Sequence, residues 1–307
     1  MVENQKENQL EYLKGQEQKV QKQRGQYQSG QKKLTLDIPK TCSASLIPGR
    51  SRNINGKFGG TNLGHNGDAI YIDLNHRIFA VADGPERNPS ASSNYLKKLK
   101  KCFEDSTPIQ EGLSDLSGGS FGGAIEMLGK IATDLSLNTD YHNATTFSAL
   151  ALAPSENGKS VSDGGKKGEI DAAILHTGDS MIFKISESGG EIVRLTKTNH
   201  FLIGRAPRLF QTETIVVYES DIILLCTDGI NDLARSRGLA TEKFLSEEVV
   251  GLGPAGIIEK IESLAKDTKI RLDDIGVVCV QVSAAISQSK QSMGGVEPGV
   301  ILEDAGS

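Results

Sequence analysis

The sequence predicts an α+β protein in which an antiparallel β-sandwich is flanked by helix pairs. Short apolar runs of strand character dominate the chain, and stretches with helical spacing occur in two pairs. The order is strands, a helix pair, more strands, a second helix pair and a final strand. Strands that follow one another directly favour antiparallel pairing, whereas a doubly wound parallel sheet would alternate strands with helices. The helices are therefore expected to cover the outer faces of the sandwich.

Eight segments have the length and the composition of strands. They are short and rich in Ala, Val, Ile and Leu, which are residues that suit strands buried in a core. We predict strands at 69–72, 78–82, 145–153, 170–176, 181–185, 214–218, 222–226 and 275–282.

Four stretches have apolar residues at helical spacing. In the first stretch Leu96 and Leu99 lie on one face, and in the last stretch Ile257, Ile258 and Ile261 do so. Pro254 opens the last stretch at a first-turn position, which proline favours. We predict helices at 90–103, 122–135, 241–250 and 254–266.

The ends of the chain differ in composition from its middle. Residues 1–33 contain nine Gln and seven Lys or Arg, and they predict a flexible polar arm. Residues 284–307 are rich in Ser, Gly and Gln and predict a flexible tail. Residues 34–283 are expected to form the one folded domain.

Composition excludes several classes of function. The chain has 34 basic and 39 acidic residues, and its net charge of −5 argues against a nucleic-acid partner. It has no apolar run long enough to span a bilayer and no signal peptide, so we expect neither a membrane partner nor export, and we predict a cytoplasmic location. The sequence does not indicate an oligomeric state.

Cysteine and histidine give no support for a zinc site. The four cysteines include no CxxC pair and are read as reduced structural residues. The five histidines show no HExxH spacing, and His176 within an apolar run is read as a satisfied core residue. A metal bound by this chain would therefore need oxygen ligands.

Aspartates follow or precede three of the predicted strands. Asp83-Gly84 and Asp228-Gly229 each end an apolar run, and Asp273-Asp274 precedes another. One Asp-Gly pair is most often a simple turn. Three acidic strand ends that converge would repel one another unless a cation neutralised them, which predicts a hard divalent ion.

Further motifs complete an ordered set of six. The chain reads NGDA at 66–69, VADG at 81–84, ATT at 144–146, GDS at 178–180, CTDG at 226–229 and DD at 273–274. In this order the motifs resemble those of the metal-dependent type 2C (PPM) Ser/Thr protein phosphatases. The resemblance covers about residues 60–283, and it implies α-β-β-α layers with a two-metal site at one end of the sandwich.

The resemblance implies a role for each matched residue. Asp83 matches the carboxylate that bridges two Mg²⁺ or Mn²⁺ ions, Gly84 would offer a backbone carbonyl, and Asp228 and Asp273 match the remaining direct ligands. Asp68 and Asp179 match residues that hold coordinated water or the neighbouring loop. Asp274 stands where the family usually has Asn, and it is read as a turn cap. Thr145 and Thr146 are expected behind the site, without a chemical role.

The chain also departs from the family pattern. Gly67 replaces the Glu of the NED motif. In addition, residues 61–65 lack the Arg that usually binds the substrate phosphate in the family. Arg87, Arg50 and Arg52 are candidate replacements, although a solvated surface arginine is the alternative for each.

The resemblance implies an enzyme that hydrolyses phosphoserine or phosphothreonine in phosphoprotein substrates by means of water activated between two divalent ions. The loop after Gly84 also lacks the His that some relatives use as general acid, so activity is expected to be weak. The alternative is a catalytically impaired pseudophosphatase that binds a partner or senses a ligand.

Overall fold

The structure is a computed structural model. It describes residues 33–49, 66–74, 76–85, 88–105, 129–130, 133–134, 139, 143–153, 168–186, 190–204, 211–268, 272–289 and 299–304. No helix in these ranges is long and apolar enough to cross a membrane.

Two six-stranded antiparallel sheets form the centre of the molecule. The first sheet has the order β1-β2-β11-β10-β7-β8 and contains β1 (Leu34–Ile38), β2 (Cys42–Ile47), β7 (Met181–Ile185), β8 (Ile192–Arg194), β10 (Ile222–Cys226) and β11 (Ile275–Gln281). The second sheet has the order β12-β3-β4-β5-β6-β9 and contains β3 (Asp68–Asp73), β4 (Ile78–Asp83), β5 (Phe147–Leu152), β6 (Glu169–Thr177), β9 (Gln211–Tyr218) and β12 (Val300–Glu303).

Five helices are described alongside the sheets. They are α1 (Ser90–Asp105), α2 (Gly229–Ser236), α3 (Thr241–Glu248), α4 (Pro254–Asp267) and α5 (Val282–Ser289). The helix α1 packs on β3 and β4 of the second sheet, and α4 packs on β2 and β11 of the first. The predicted α+β sandwich with helices on its outer faces is therefore confirmed.

The core is divided into three layers by the two sheets. Between the sheets, Phe79 and Val81 of β4 meet Leu225 of β10 and Val278 of β11. The alternate residues of the same strands face the helices, so that Ala80 lies under α1 and Cys279 lies under α4. Because both faces of each sheet are covered, the central strands read as continuous apolar runs instead of alternating ones.

All eight predicted strands are present, and the predicted helices at 90–103, 241–250 and 254–266 correspond to α1, α3 and α4. Most of the helix predicted at 122–135 lies outside the described residues, and positions 129–130 and 133–134 within it are helical. The final predicted strand ends at Gln281, not at residue 282, because Val282 starts α5.

The hairpin formed by β1 and β2 was not predicted, because polar residues interrupt its apolar pattern. Thr35 and Ser45 face α4, where each donates a hydrogen bond to Oε1 of Glu262, at 3.2 and 2.8 Å respectively. Lys33, the last residue of the predicted arm, forms an ion pair with the same glutamate. Residues 1–32 of that arm lie outside the described part of the chain.

The structure differs from the flexible tail predicted from residue 284 onward at residues 284–289 and 300–303. Residues 282–289 form α5, whose Val282, Ala285 and Ile286 at helical spacing are buried in the core between the sheets. Residues 300–303 form β12, which pairs antiparallel with β3. Although the segment is rich in Ser, Gly and Gln, it contains two short apolar groups, and neighbouring strands cover both of them. The extent of a single domain from residue 34 to residue 283 stays a prediction.

Candidate metal centre

Antiparallel pairing brings distant aspartates to one end of the sandwich. Asp68 starts β3 and Asp83 ends β4, and the register pairs these two residues directly. In the first sheet Cys226 pairs with Val277, so the residues after β10 and those before β11 meet at one edge. The turn from β6 to β7 crosses between the sheets and carries Asp179.

Three of these carboxylates form a compact group. Among the described residues, one carboxylate oxygen from each of Asp83, Asp179 and Asp228 lies within 4.8 Å of the other two. Each side chain is partly exposed, so the group is accessible from solvent. Carboxylates at this separation repel one another, and a divalent cation with oxygen ligands would remove that repulsion. The donor set therefore fits Mg²⁺ or Mn²⁺.

The crowding changes the proton affinity of these aspartates. Burial, and then the charge of Asp68, raises the pKa of Asp83 well above its ordinary value. Burial, followed by the charges of Asp179 and Asp273, raises the pKa of Asp228 to about 7. A bound cation would reverse both effects, because it favours the ionised carboxylates.

Asp179 and Asp273 differ in how close they lie to Asp83 and Asp228. Asp179, expected to orient water, belongs to the compact group. Asp273, expected to be a direct ligand, lies outside that group, although its charge raises the pKa of both Asp83 and Asp228. Its backbone N–H donates a hydrogen bond to Asp232 at 3.2 Å. The assignment of ligands therefore stays a prediction for both residues.

Asp68 lies deeper than the other aspartates and is held by a buried threonine. It is 2% exposed, and burial is the largest cause that raises its pKa, followed by the charge of Asp274. The Thr227 hydroxyl donates to Oδ2 of Asp68 at 2.8 Å and accepts the Gly276 N–H at 2.8 Å. This bridge joins β3 to both central strands of the first sheet.

The threonine pair behind the site holds the backbone of Asp83. Thr145 Oγ1 donates to the Asp83 carbonyl at 2.7 Å, and the Asp83 N–H donates to Thr146 Oγ1 at 2.9 Å. Thr146 Oγ1 also lies 2.8 Å from Ser180 Oγ, which is buried beside Asp179. The expectation that these threonines lie behind the site is confirmed, and the structure adds that they position it.

The helix α2 begins at the site without using Asp228 as a side-chain cap. Asp228 precedes the helix and makes no side-chain capping hydrogen bond. A Cβ at Gly229 would lie 2.0 Å from the Asp274 carbonyl oxygen, so only glycine allows the helix start to approach that loop. This close approach explains the Gly of the CTDG motif.

Gly84 and Asp274 are tied to the loop before β3. The Gly84 N–H donates to the Gly67 carbonyl at 3.0 Å. Asp274 accepts hydrogen bonds from the N–H groups of Gly49 at 2.6 Å and Gly67 at 2.8 Å. Asp274 therefore binds backbone donors, as expected for a structural residue, but these donors belong to two distant segments and not to its own turn.

His176 has the structural role that the sequence predicts. It is fully buried, its Nε2 lies 3.1 Å from the Lys197 carbonyl oxygen and its Nδ1 lies 2.7 Å from Ser148 Oγ. Since a carbonyl only accepts, Nε2 carries the proton and Nδ1 accepts the Ser148 hydroxyl. Burial lowers the His176 pKa to about 4. The candidate phosphate ligands Arg50, Arg52 and Arg87 lie outside the described residues.

Sequence reasoning missed the hydroxyl groups that position the aspartates. Thr227 and Ser180 each stand next to an aspartate in the motifs CTDG and GDS, and both are fully buried. Their adjacency in the sequence was the available signal. Ser92, which donates to the Gly67 carbonyl at 2.5 Å, had no such signal because it lies on α1.

The fold has counterparts among solved structures. A variant of a bacterial serine phosphatase is 16% identical with a TM-score of 0.53, and the match covers 78% of this chain and 97% of that one. The PPM Ser/Thr phosphatase MsPP from Mycobacterium smegmatis, solved with cacodylate, is 18% identical with a TM-score of 0.51 and coverages of 79% and 98%. This chain has the PPM phosphatase fold.

A third PPM-fold counterpart was solved with metal ions. It is the catalytic domain of the Ser/Thr protein phosphatase PstP in complex with two manganese ions. It is 18% identical with a TM-score of 0.50, and the match covers 78% of this chain and 96% of that one. No family model and no curated protein sequence matches the chain.

Proposed function

We propose that the chain is a Mg²⁺- or Mn²⁺-dependent phosphatase that hydrolyses phosphoserine or phosphothreonine in phosphoprotein substrates. The observation that carries this proposal is the convergence of Asp83, Asp179 and Asp228 within 4.8 Å at one end of the sandwich. The two manganese ions in the PstP catalytic domain support the choice of divalent cation.

The position of each residue on the sheets determines the role that we propose for it. Asp83 ends a strand of the second sheet and Asp228 follows a strand of the first sheet, so together they would hold cations between the sheets. Asp273 and the Gly84 carbonyl are further candidate ligands at the same end. The bound ions would lower the pKa of a shared water and stabilise charge on the phosphoryl oxygens.

Two aspartates would act beside the ligands. Asp68 is buried and its orientation is held by Thr227, which suits a residue that accepts hydrogen bonds from water at the site. Asp179 lies close enough to Asp83 and Asp228 to bind a cation directly or to orient water.

The test is hydrolysis of a small aryl phosphate and of a phosphopeptide, with titration of Mn²⁺. We expect metal-dependent turnover that falls at least about 100-fold in Asp83→Asn, because removal of a ligand disrupts the cation site. The matched control is Asp171→Asn, which changes a partly exposed aspartate of β6 that lies six residues before the strand end at Thr177. Turnover equal in wild type and Asp83→Asn would refute the enzymatic proposal.

One observation favours the alternative function, a pseudophosphatase that binds a partner. Gly67 stands in place of the family's Glu, and residues 61–65 contain no arginine. Under this alternative, Mn²⁺ would still bind, as measured by calorimetry, but neither phosphate ester would be hydrolysed faster than by Asp83→Asn.

A further inference from the structure

The carboxylate of Asp274 joins segments from both sheets at the candidate metal centre. Its Oδ1 accepts the N–H of Gly49, which follows β2 of the first sheet, at 2.6 Å. Its Oδ2 accepts the N–H of Gly67, which precedes β3 of the second sheet, at 2.8 Å. One side chain at the start of β11 therefore fixes the ends of two other strands.

Gly67 transmits this constraint to Gly84. The Gly67 carbonyl accepts hydrogen bonds from the Gly84 N–H at 3.0 Å and from the Ser92 hydroxyl at 2.5 Å. Both polar groups of the Gly67 backbone are thus occupied, one by Asp274 and the other by Gly84 and Ser92. The position of Gly84, next to Asp83, consequently depends on Asp274.

Gly67 and Gly84 pack so closely that neither position has room for a side chain. A Cβ at Gly67 would lie 2.9 Å from the Gly84 carbonyl oxygen, and a Cβ at Gly84 would lie 2.9 Å from the Gly67 carbonyl oxygen. Cβ atoms do not approach backbone oxygen so closely, so a side chain at Gly67 would displace the Gly84 carbonyl. The absence of Glu at position 67 therefore has a packing reason in this chain.

The geometry requires two acceptor oxygens at position 274. Both partners are backbone N–H donors, and a carboxylate accepts both with its two oxygens. An asparagine has one acceptor oxygen, and its NH₂ group would face the second N–H donor. The Asn that the PPM phosphatases usually have at this position would lose one of the two hydrogen bonds here.

We propose that Asp274 is a positioning residue for the metal centre. Asp274 acts through Gly67 to align the Gly84 carbonyl toward a divalent cation. The inference deepens the proposed function and rests on it for the identity of the cation. Asp274 itself binds backbone N–H groups and is not a ligand. A partner that orients a ligand commonly changes metal affinity 10- to 100-fold when it is replaced.

The first experiment compares Mn²⁺ affinity by titration calorimetry in wild type, Asp274→Asn, Gly67→Ala and the double variant. We expect each single variant to weaken Mn²⁺ binding about tenfold or more. Gly67→Ala leaves the charge of the site unchanged, so it separates positioning from the loss of a negative charge. Because both changes act through the same peptide contact, the double variant should be no weaker than the worse single variant. Fully additive losses, or unchanged affinity in Gly67→Ala, would overturn the proposal.

The second experiment needs no metal and so separates this proposal from the proposed function. Amide hydrogen exchange in EDTA should be faster at Gly67 and Gly84 in Asp274→Asn than in wild type, while Asp171→Asn leaves both rates unchanged. Unchanged exchange at Gly84 in Asp274→Asn refutes the positioning role. If wild type binds no Mn²⁺ but Asp274→Asn still exchanges faster than wild type at Gly67 and Gly84, the metal function is refuted. The contact from Asp274 through Gly67 to Gly84 is then still supported.

Discussion

Asp228 is a residue whose chemistry depends on neighbours far away in the sequence. Its pKa is raised to about 7 by burial and by the charges of Asp179 and Asp273. Without a cation, about half of the Asp228 carboxyl groups are therefore protonated at neutral pH. An ordinary aspartate has a pKa of about 3.9. At a pH between this value and about 7, Asp228 therefore takes up a proton when the chain folds.

The pH dependence of stability follows from this shift. Since folded Asp228 binds its proton more tightly than the unfolded chain does, its contribution to stability is complete below about pH 4 and is lost as the pH rises toward about 7. In EDTA, the fall in melting temperature from pH 5 to pH 7.5 should be smaller in Asp228→Asn than in wild type. Asp171→Asn is the control and should keep the wild-type slope. Identical slopes in wild type and Asp228→Asn would contradict the raised pKa.

A second prediction at this scale concerns the buried hydroxyl of Thr227. Thr227→Val keeps the shape but leaves Asp68 and the Gly276 N–H without their shared partner. We expect the free energy of unfolding to fall by about 1–3 kcal/mol, as measured by urea denaturation. Thr227→Ser retains the hydroxyl and should lose less than Thr227→Val. A loss in Thr227→Ser as large as that in Thr227→Val would contradict the larger share assigned to the hydroxyl hydrogen bonds.

At the scale of elements, α4 contributes to stability from the outer face of the first sheet. The helix α4 buries Ile257, Ile258 and Ile261 against the first sheet, while Glu259 faces solvent. Such a helix supports β11, the strand that follows Asp273, without contributing a side chain to the compact acidic group.

Replacement of a buried isoleucine in α4 tests this separation of roles. Ile261→Ala should lower the free energy of unfolding by about 2–5 kcal/mol, because it removes buried methyl groups and leaves a cavity. Glu259→Ala on the exposed face should change it by less than about 0.5 kcal/mol. Mn²⁺ affinity, measured below the melting temperature, should be unchanged in both variants. Weaker Mn²⁺ binding in Ile261→Ala would show that α4 shapes the site.

The strand β12 shows how a short segment can matter to the whole sheet. It pairs with β3 along four residues, and Asp304 just after it accepts the Asn66 N–H at 3.2 Å beside the site. Ile301 and Leu302 pack against the outer and inner layers of the core respectively. A chain that ends at residue 298 should therefore be less stable by about 2 kcal/mol or more in urea denaturation. Full-length protein with Val300→Thr, a change at an exposed position, is the control.

At the scale of the whole molecule, cation binding and folding should be linked. The acidic group forms only when both sheets and the β6–β7 turn are assembled, so a cation that binds it binds the folded state. Free Mn²⁺ at 100 times its dissociation constant should stabilise the fold by about 2.7 kcal/mol. Thermal melts should show a higher melting temperature with Mn²⁺ than with EDTA, and Asp83→Asn should lose most of this difference. Equal melting temperatures in wild type would count against a cation site.

Much of the fold could be predicted because its central strands are apolar on both faces. Strands such as β4 and β10 read as continuous runs, and α4 shows its buried face at helical spacing. Elements whose burial depends on one particular neighbour were not predictable. The polar side of β2 is satisfied by Glu262 of α4, and β12 becomes a strand only where β3 offers a free edge.

The sequence alone determined which aspartates end strands and in what order their motifs occur, because residue type and strand pattern are local properties. Only the tertiary structure decided that Asp179 lies in the compact group with Asp83 and Asp228, and that Asp274 holds two backbone segments. Distances between side chains depend on strand register and on the packing of two sheets, which no local pattern specifies. The same register explains how Thr227 and Gly67 hold the site in place.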